Sequence, residues 1–279
     1  GTNFQPTYTN FWLSKKNTSL TEYMLGDTVE VNVDANNYDA LTVGIDKEGQ
    51  GRVVTKKIGS HYTFSTYDLG VGSYSIYVTV SNSSGYVDTN RLWFTISKPQ
   101  YSEFSVSKTT YMLGENIDVN VKASHYSHLV VGIDKEGVGR VVTKNINSRY
   151  VFSSKNLGPG KYSIYVSVYN PYGYYVDTKT IQFSVEKPSY AKFSITKQKY
   201  ELEENVEINV SPSNYSKLIV GIDKEGKGRV VTKDISPRYV FPAKSLGVGK
   251  YSVYVSVYNP YGEYKDTNRL NFEIYQKAH

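Results

Sequence analysis

Asp46, Lys47, Glu48 and Arg52 belong to a run Asp-Lys-Glu-Gly-x-Gly-Arg that returns at Asp134 to Arg140 and again at Asp223 to Arg229. Carboxylates beside cations are the residue types of cation binding or acid–base work, so this run is the first place to look for chemistry. Calcium wants about six to eight oxygen ligands, and the Asp and Glu of one copy, flanked by Lys and Arg, supply too few. No metal site is expected. The histidines offer no alternative: His61 stands where the other copies have Arg149 and Arg238, His125 where they have Asn37 and Asn214, and His128 where they have Ala40 and Lys217. Such exchanges suit solvated loops. With no cysteine there is neither a thiolate nucleophile nor a disulfide, and no H-E-x-x-H, G-x-S-x-G or phosphate-cradling glycine loop occurs. A nucleophile or metal beside a tuned acid or base is therefore not legible. No catalytic residue and no cofactor is assigned, and the chain reads as something other than an enzyme.

Tyrosine is the other abundant functional type, at 28 residues. In Ile76-Tyr77-Val78-x-Val80 the aliphatic side chains point one way along a strand, so Tyr77, with Tyr165 and Tyr254 in the other copies, points the other way. One reading is ordinary sheet packing, which tyrosine suits. The other is a flat platform for sugar rings, joined by the loop tyrosines Tyr172 and Tyr261.

These residues sit on a threefold internal repeat, the signature of a tandem architecture. Val43 to Gly49 returns at Val131 and at Val220, with spacings of 88 and 89 residues between Gly44, Gly132 and Gly221. Tyr23-Met24-Leu25-Gly26 matches Tyr111 to Gly114 and, more loosely, Tyr200-Glu201-Leu202-Glu203. The extra residue falls after Gly173, which locates a hairpin loop there. Within a copy the apolar pattern has period two, as in Val29-Val31-Val33, so the elements are strands. The second copy reads as seven: about 103–107, 116–122, 128–134, 140–145, 149–155, 161–169 and 177–185. No stretch offers a helix of three turns. Leu157-Gly158-Pro159-Gly160-Lys161-Tyr162 places a tyrosine just after a glycine-rich corner, as in a tyrosine corner, with Tyr74 and Tyr251 in the same place. The fold class is all-β: three tandem seven-stranded sandwiches of the immunoglobulin or fibronectin III kind, end to end. Pro99 and Pro188 mark joints that divide the chain into 1–98, 99–187 and 188–279.

The run Tyr162-Ser163-Ile164-Tyr165-Val166-Ser167-Val168-Tyr169-Asn170-Pro171-Tyr172-Gly173, with counterparts from Tyr74 and Tyr251, resembles the bacterial triple-tyrosine module. The likeness spans all three copies, the first departing with Ser83-Ser84 where the others carry Pro-Tyr. It implies a fibronectin III-like accessory module of exported or surface proteins, including cell-wall hydrolases and sensor ectodomains.

Topology then assigns roles. In a seven-stranded sandwich the loop holding Asp46, Glu48 and Arg52 lies at the pole where the module ends, and the Asn-Pro-Tyr-Gly loop lies where the next begins. Contact across each joint is expected, of Asp46, Glu48 and Arg52 with Tyr172, and of Asp134, Glu136 and Arg140 with Tyr261. Net charge is +6, diffuse rather than clustered, so no nucleic-acid partner is expected. No apolar run is long enough to insert in a membrane. The chain begins at Gly1 with no leader, as a mature secreted or excised piece would, and its Lys, Asn and Tyr load suits an exported bacterial protein. The expected role is a monomeric, non-catalytic spacer, extracellular or cell-wall-associated, that binds cell-wall polysaccharide weakly. A surface protein is the alternative partner, as for an adhesin or receptor segment. Pilin-like sandwiches with Lys–Asn cross-links share the composition and would show a loss of ammonia in the intact mass.

Overall fold

The computed structural model describes residues 4–14 and 21–278. In the first module the elements are β1 (Thr7–Leu13), β2 (Glu22–Met24), β3 (Thr28–Asn36), β4 (Ala40–Lys47), β5 (Gly51–Ile58), β6 (His61–Ser65), a single turn α1 (Thr66–Leu69), β7 (Gly72–Asn82), β8 (Gly85–Asp88) and β9 (Leu92–Ser97). The same order of strands repeats between Gln100 and Glu186 and between Ser189 and Tyr275, with a 3-10 turn (Ser154–Asn156, Ala243–Ser245) in the place of α1. Each copy is two packed sheets, β1-β3-β6 facing β2-β9-β7-β4-β5, with β8 paired to β7. This is an immunoglobulin or fibronectin III-like sandwich, three times in tandem.

Two short strands join the seven that period-two alternation predicts. β2 leaves the sheet of β1 and pairs parallel with β9, Tyr23 opposite Ile96, so one strand changes sheets at the sandwich edge. The expected strand 177–185 is broken after Asp177, because Thr178 turns its Oγ1 inward to accept from Val166 N at 2.9 Å. Thr89 and Thr267 do the same in the other modules.

Alternation builds the core. Val29, Val31 and Val33 from one sheet meet Leu41, Val43, Ile45, Ile76, Val78 and Val80 from the other, all buried, and each such side chain contributes roughly 1.5–3 kcal/mol on leaving water. Beneath the corner, Tyr74 stacks on Phe94 at 5.3 Å and donates its hydroxyl to Leu69 O at 2.7 Å and Gly70 O at 2.8 Å. Tyr162 on Phe183 and Tyr251 on Phe272 repeat the arrangement.

Candidate functional site

The Asp-Lys-Glu-Gly run forms the β4–β5 hairpin. A register shift between Ile45 and Asp46 sets Asp46 directly opposite Arg52, and Gly49 and Gly51 take the left-handed backbone (φ 81° and 87°) that the turn requires. Arg52 donates Nε to Asp46 Oδ1 at 2.8 Å, Nη1 to Thr55 Oγ1 at 3.1 Å and Nη2 to the Tyr77 hydroxyl at 2.7 Å. Arg140 makes the same bonds to Asp134, Thr143 and Tyr165, and Arg229 to Asp223, Thr232 and Tyr254. The run is thus an outward polar brace on the larger sheet, with its carboxylate already neutralised.

A fifth residue completes the brace in two modules. Arg91 bonds Asp46 Oδ2 at 2.7 Å and lies 4.5 Å from the Tyr77 ring centroid; Arg269 does the same with Asp223 and Tyr254. Thr180 holds this position in the second module, and the Asp134 side chain is 42% exposed against 26% for Asp46. Hydrogen bonds first from Arg52 and then from Arg91 hold the Asp46 carboxyl below its ordinary range. A carboxyl with a depressed folded pKa adds stability above its unfolded value of 3.8 and loses it as pH falls through the folded value. Asp46→Asn should therefore weaken the first module at pH 7 by about 0.2–1 kcal/mol, the range for exposed pairs. That difference should shrink as pH falls below 3.8 and disappear once the carboxyl is protonated in the folded module too, as denaturant titrations at stepped pH would show; a difference independent of pH would contradict it.

Glycine in Val-Gly-Ile-Asp has its own reason. Gly44 pairs with Tyr77 across the strands, and a Cβ there would stand 2.8 Å from Tyr77 Cε1 and 2.9 Å from Arg52 Cζ. Gly132 and Gly221 lie equally close beneath Tyr165 and Tyr254. Each ring therefore covers a glycine and is held at its hydroxyl by arginine. Tyr77, Tyr165 and Tyr254 are all half-buried, and only Tyr165 has no second arginine over it.

The second set of candidates lies at the joints, where the expected contact is corrected. Asp46, Arg52, Asp134 and Arg140 are engaged within their own modules. Glu48 and Glu136 sit at exposed hairpin tips, their backbone N–H groups bonded to Ser73 O and Lys161 O of the same module. Tyr172 lies instead on the β2–β3 turn of the first module. Its Cγ would be 2.6 Å from a Cβ on Gly26 (φ 108°), and its hydroxyl donates to Asp27 Oδ1, which pushes the Tyr172 phenol pKa up. Beside it, buried Asn170 folds its own loop by accepting from Tyr172 N at 2.9 Å and Tyr174 N at 3.1 Å, and gives Nδ2 to Leu25 O across the joint at 2.8 Å. Tyr261 and Asn259 repeat this on Gly114 and Leu113 O, again at 2.8 Å for the amide.

Sheet order explains the correction. β4 and β5 form one edge of the larger sheet, whereas β9, from which the chain exits, lies beside β2 at the other. The following module is carried to the β2–β3 turn, away from the hairpin at the same pole. The extra residue of the later loops also finds its purpose: Tyr174 stacks on Tyr67 across the first joint (6.0 Å between centroids, 20° between planes), and Glu263 pairs with Lys155 across the second at 3.0 Å. Sequence reading missed the landing glycines, yet a signal was present: Gly26 and Gly114 are each followed by a copy carrying Pro-Tyr.

Among the described residues no group of His, Asp and Glu side chains converges as a metal site would, and no helix is long and apolar enough to cross a membrane. No family model matches the chain, and no curated protein matches it. It is similar to solved tandem-domain structures. The FN1–FN3 domains of chicken CNTN1 match at 11% identity and a TM-score of 0.32, covering 98% of this chain and 100% of that one. A 1.5-MDa bacterial ice-binding adhesin, described in connection with host cell surface retention, matches at 12% identity and a TM-score of 0.48, covering 98% and 99%.

Proposed function

We propose that this chain is a non-catalytic array of three triple-tyrosine modules, near 1–98, 99–187 and 188–279, from an exported bacterial protein. It acts as a semi-rigid extracellular spacer with weak affinity for anionic wall polysaccharide. The observation that carries the spacer reading is the repeated joint. At each boundary a buried asparagine bonds the preceding module's turn carbonyl at 2.8 Å and a tyrosine rests on a glycine of that turn. Two such anchors beside a Pro-restricted linker oppose bending.

Support for the glycan reading is the mild positive charge and a sheet face bearing half-exposed tyrosines next to guanidiniums. A ring and a neighbouring cation hold an anionic sugar without a deep pocket. Tyr165 is the favoured contact because Thr180 leaves its ring without the arginine that covers Tyr77 and Tyr254. Purified bacterial cell walls at low salt should sediment the full chain, binding should fall as ionic strength rises, and Tyr165→Ala should reduce it several-fold with the fold intact. No sedimentation at low salt would remove the glycan reading and leave the spacer one standing.

A further inference from the structure

Groups that the joints tie off between modules are tied off within the module at the two outer poles. At the start of the array, Asn82 occupies the position of Asn170 and Asn259. Its Nδ2 donates to Phe4 O at 2.7 Å and Asn37 O at 2.6 Å, both in its own module. The loop that follows has Ser83-Ser84 for Pro-Tyr and lacks the extra residue. At the far end, Glu203 stands where Gly26 and Gly114 receive a tyrosine. A Cβ at Gly26 would stand 2.6 Å from Tyr172 Cγ and one at Gly114 2.7 Å from Tyr261 Cβ, well inside the ~3.5 Å at which carbon atoms pack. Lys244, the counterpart of Lys155, pairs with Glu203 of its own module at 2.9 Å, whereas Lys155 pairs with the next module's Glu263. The hydroxyl that holds the landing glycine's N–H, from Thr66 at 2.8 Å and Ser154 at 2.9 Å, is replaced by Ala243.

We propose that both outer poles are closed to the joint's own chemistry, so that copies of this chain do not dock head to tail. The partner that the inner poles fit is an Asn-Pro-Tyr-Gly loop with one further residue; the first module does not offer it and the third does not accept it. The reason for closing both follows from symmetry. A head-to-tail contact that does not return on itself propagates into a filament, and modules of the same fold on crowded neighbouring chains would otherwise compete for each other's joints. Glu203 and Lys244 act together: the glutamate blocks the landing site and takes up the lysine that would attract an acidic loop.

The test reopens both poles of the full chain. Ser83→Pro and Ser84→Tyr, with a glutamate inserted after Gly85 to meet Lys244, rebuild the loop, and Glu203→Gly rebuilds the landing site. A joint seated in cis works at an effective concentration on the order of millimolar, so the same joint in trans should populate dimers and longer species near that concentration. Sedimentation velocity from micromolar to about 1 mM should show the parent, the loop variant alone and Glu203→Gly alone as monomers, and the combined variant as self-associating. In a second arm, Gly114→Glu in the parent should unseat Tyr261 and broaden the distance distribution between spin labels on the second and third modules. The proposal is overturned by a parent that associates like the combined variant, by a combined variant monomeric throughout, or by a Gly114→Glu chain whose second joint stays seated.

Discussion

Tyr162→Ala should unfold the second module while the first and third remain folded. Tyr162 is 1% exposed, stacks on Phe183 at 5.4 Å, and gives its hydroxyl to Leu157 O and Gly158 O, each at 2.7 Å. Removing a buried aromatic ring costs about 3–5 kcal/mol, and leaving the corner carbonyls without their donor adds about 1–3 kcal/mol. The sum approaches the whole stability of a small domain, about 5–15 kcal/mol. Tyr162→Phe keeps the ring and loses only the hydroxyl, so it should cost about 1–2 kcal/mol and lower that module's melting temperature by several degrees. Calorimetry of the full chain should show one transition lost or shifted out of three. A uniform shift of every transition would mean that the modules do not unfold separately.

Gly26→Val should open the first joint. At φ 108° a β-branched residue is strained, by about 1–3 kcal/mol, and its Cβ would collide with the Tyr172 ring at 2.6 Å. Relief comes from expelling the ring, which takes with it the Asn170 to Leu25 bond and the stack of Tyr174 on Tyr67. Tyr172→Ser should open the same joint without straining the turn, which separates loss of the contact from loss of the fold. Spin-label distances between the first two modules should broaden in both variants, with a longer tail in small-angle scattering profiles. Glu203→Val should leave the profile unchanged, because no tyrosine lands there. Narrow, unaltered distances in Gly26→Val would show that something other than this contact sets the joint.

Much of the fold is legible in residue order because it rests on local periodicity. Val29-Val31-Val33 and Ile76-Val78-Val80 alternate, and alternation with a period of two buries one face of a strand whatever its neighbours are. The tyrosine at 74, 162 and 251 reports its corner because its hydroxyl bonds carbonyls only four and five residues earlier. A single extra residue after Gly173 marks a loop, since a strand interior would lose its register.

What residue order left undecided depends on neighbours distant in the chain. Arg91 joins Asp46 from 45 positions away, and its absence from the second copy hides it from any repeated motif. Gly44 carries no turn signal; its reason is the Tyr77 ring from a neighbouring strand. The pole that each loop occupies follows from counting strands. Which loop of that pole meets the next module follows from the pairing of β2 with β9, which sets the exit of the chain at the opposite sheet edge from the Asp-Lys-Glu-Gly hairpin. Alternation specifies which way a side chain faces but not the lateral order of strands in a sheet, and that order, decided by tertiary packing, placed Tyr172 on Gly26 rather than beside Asp46.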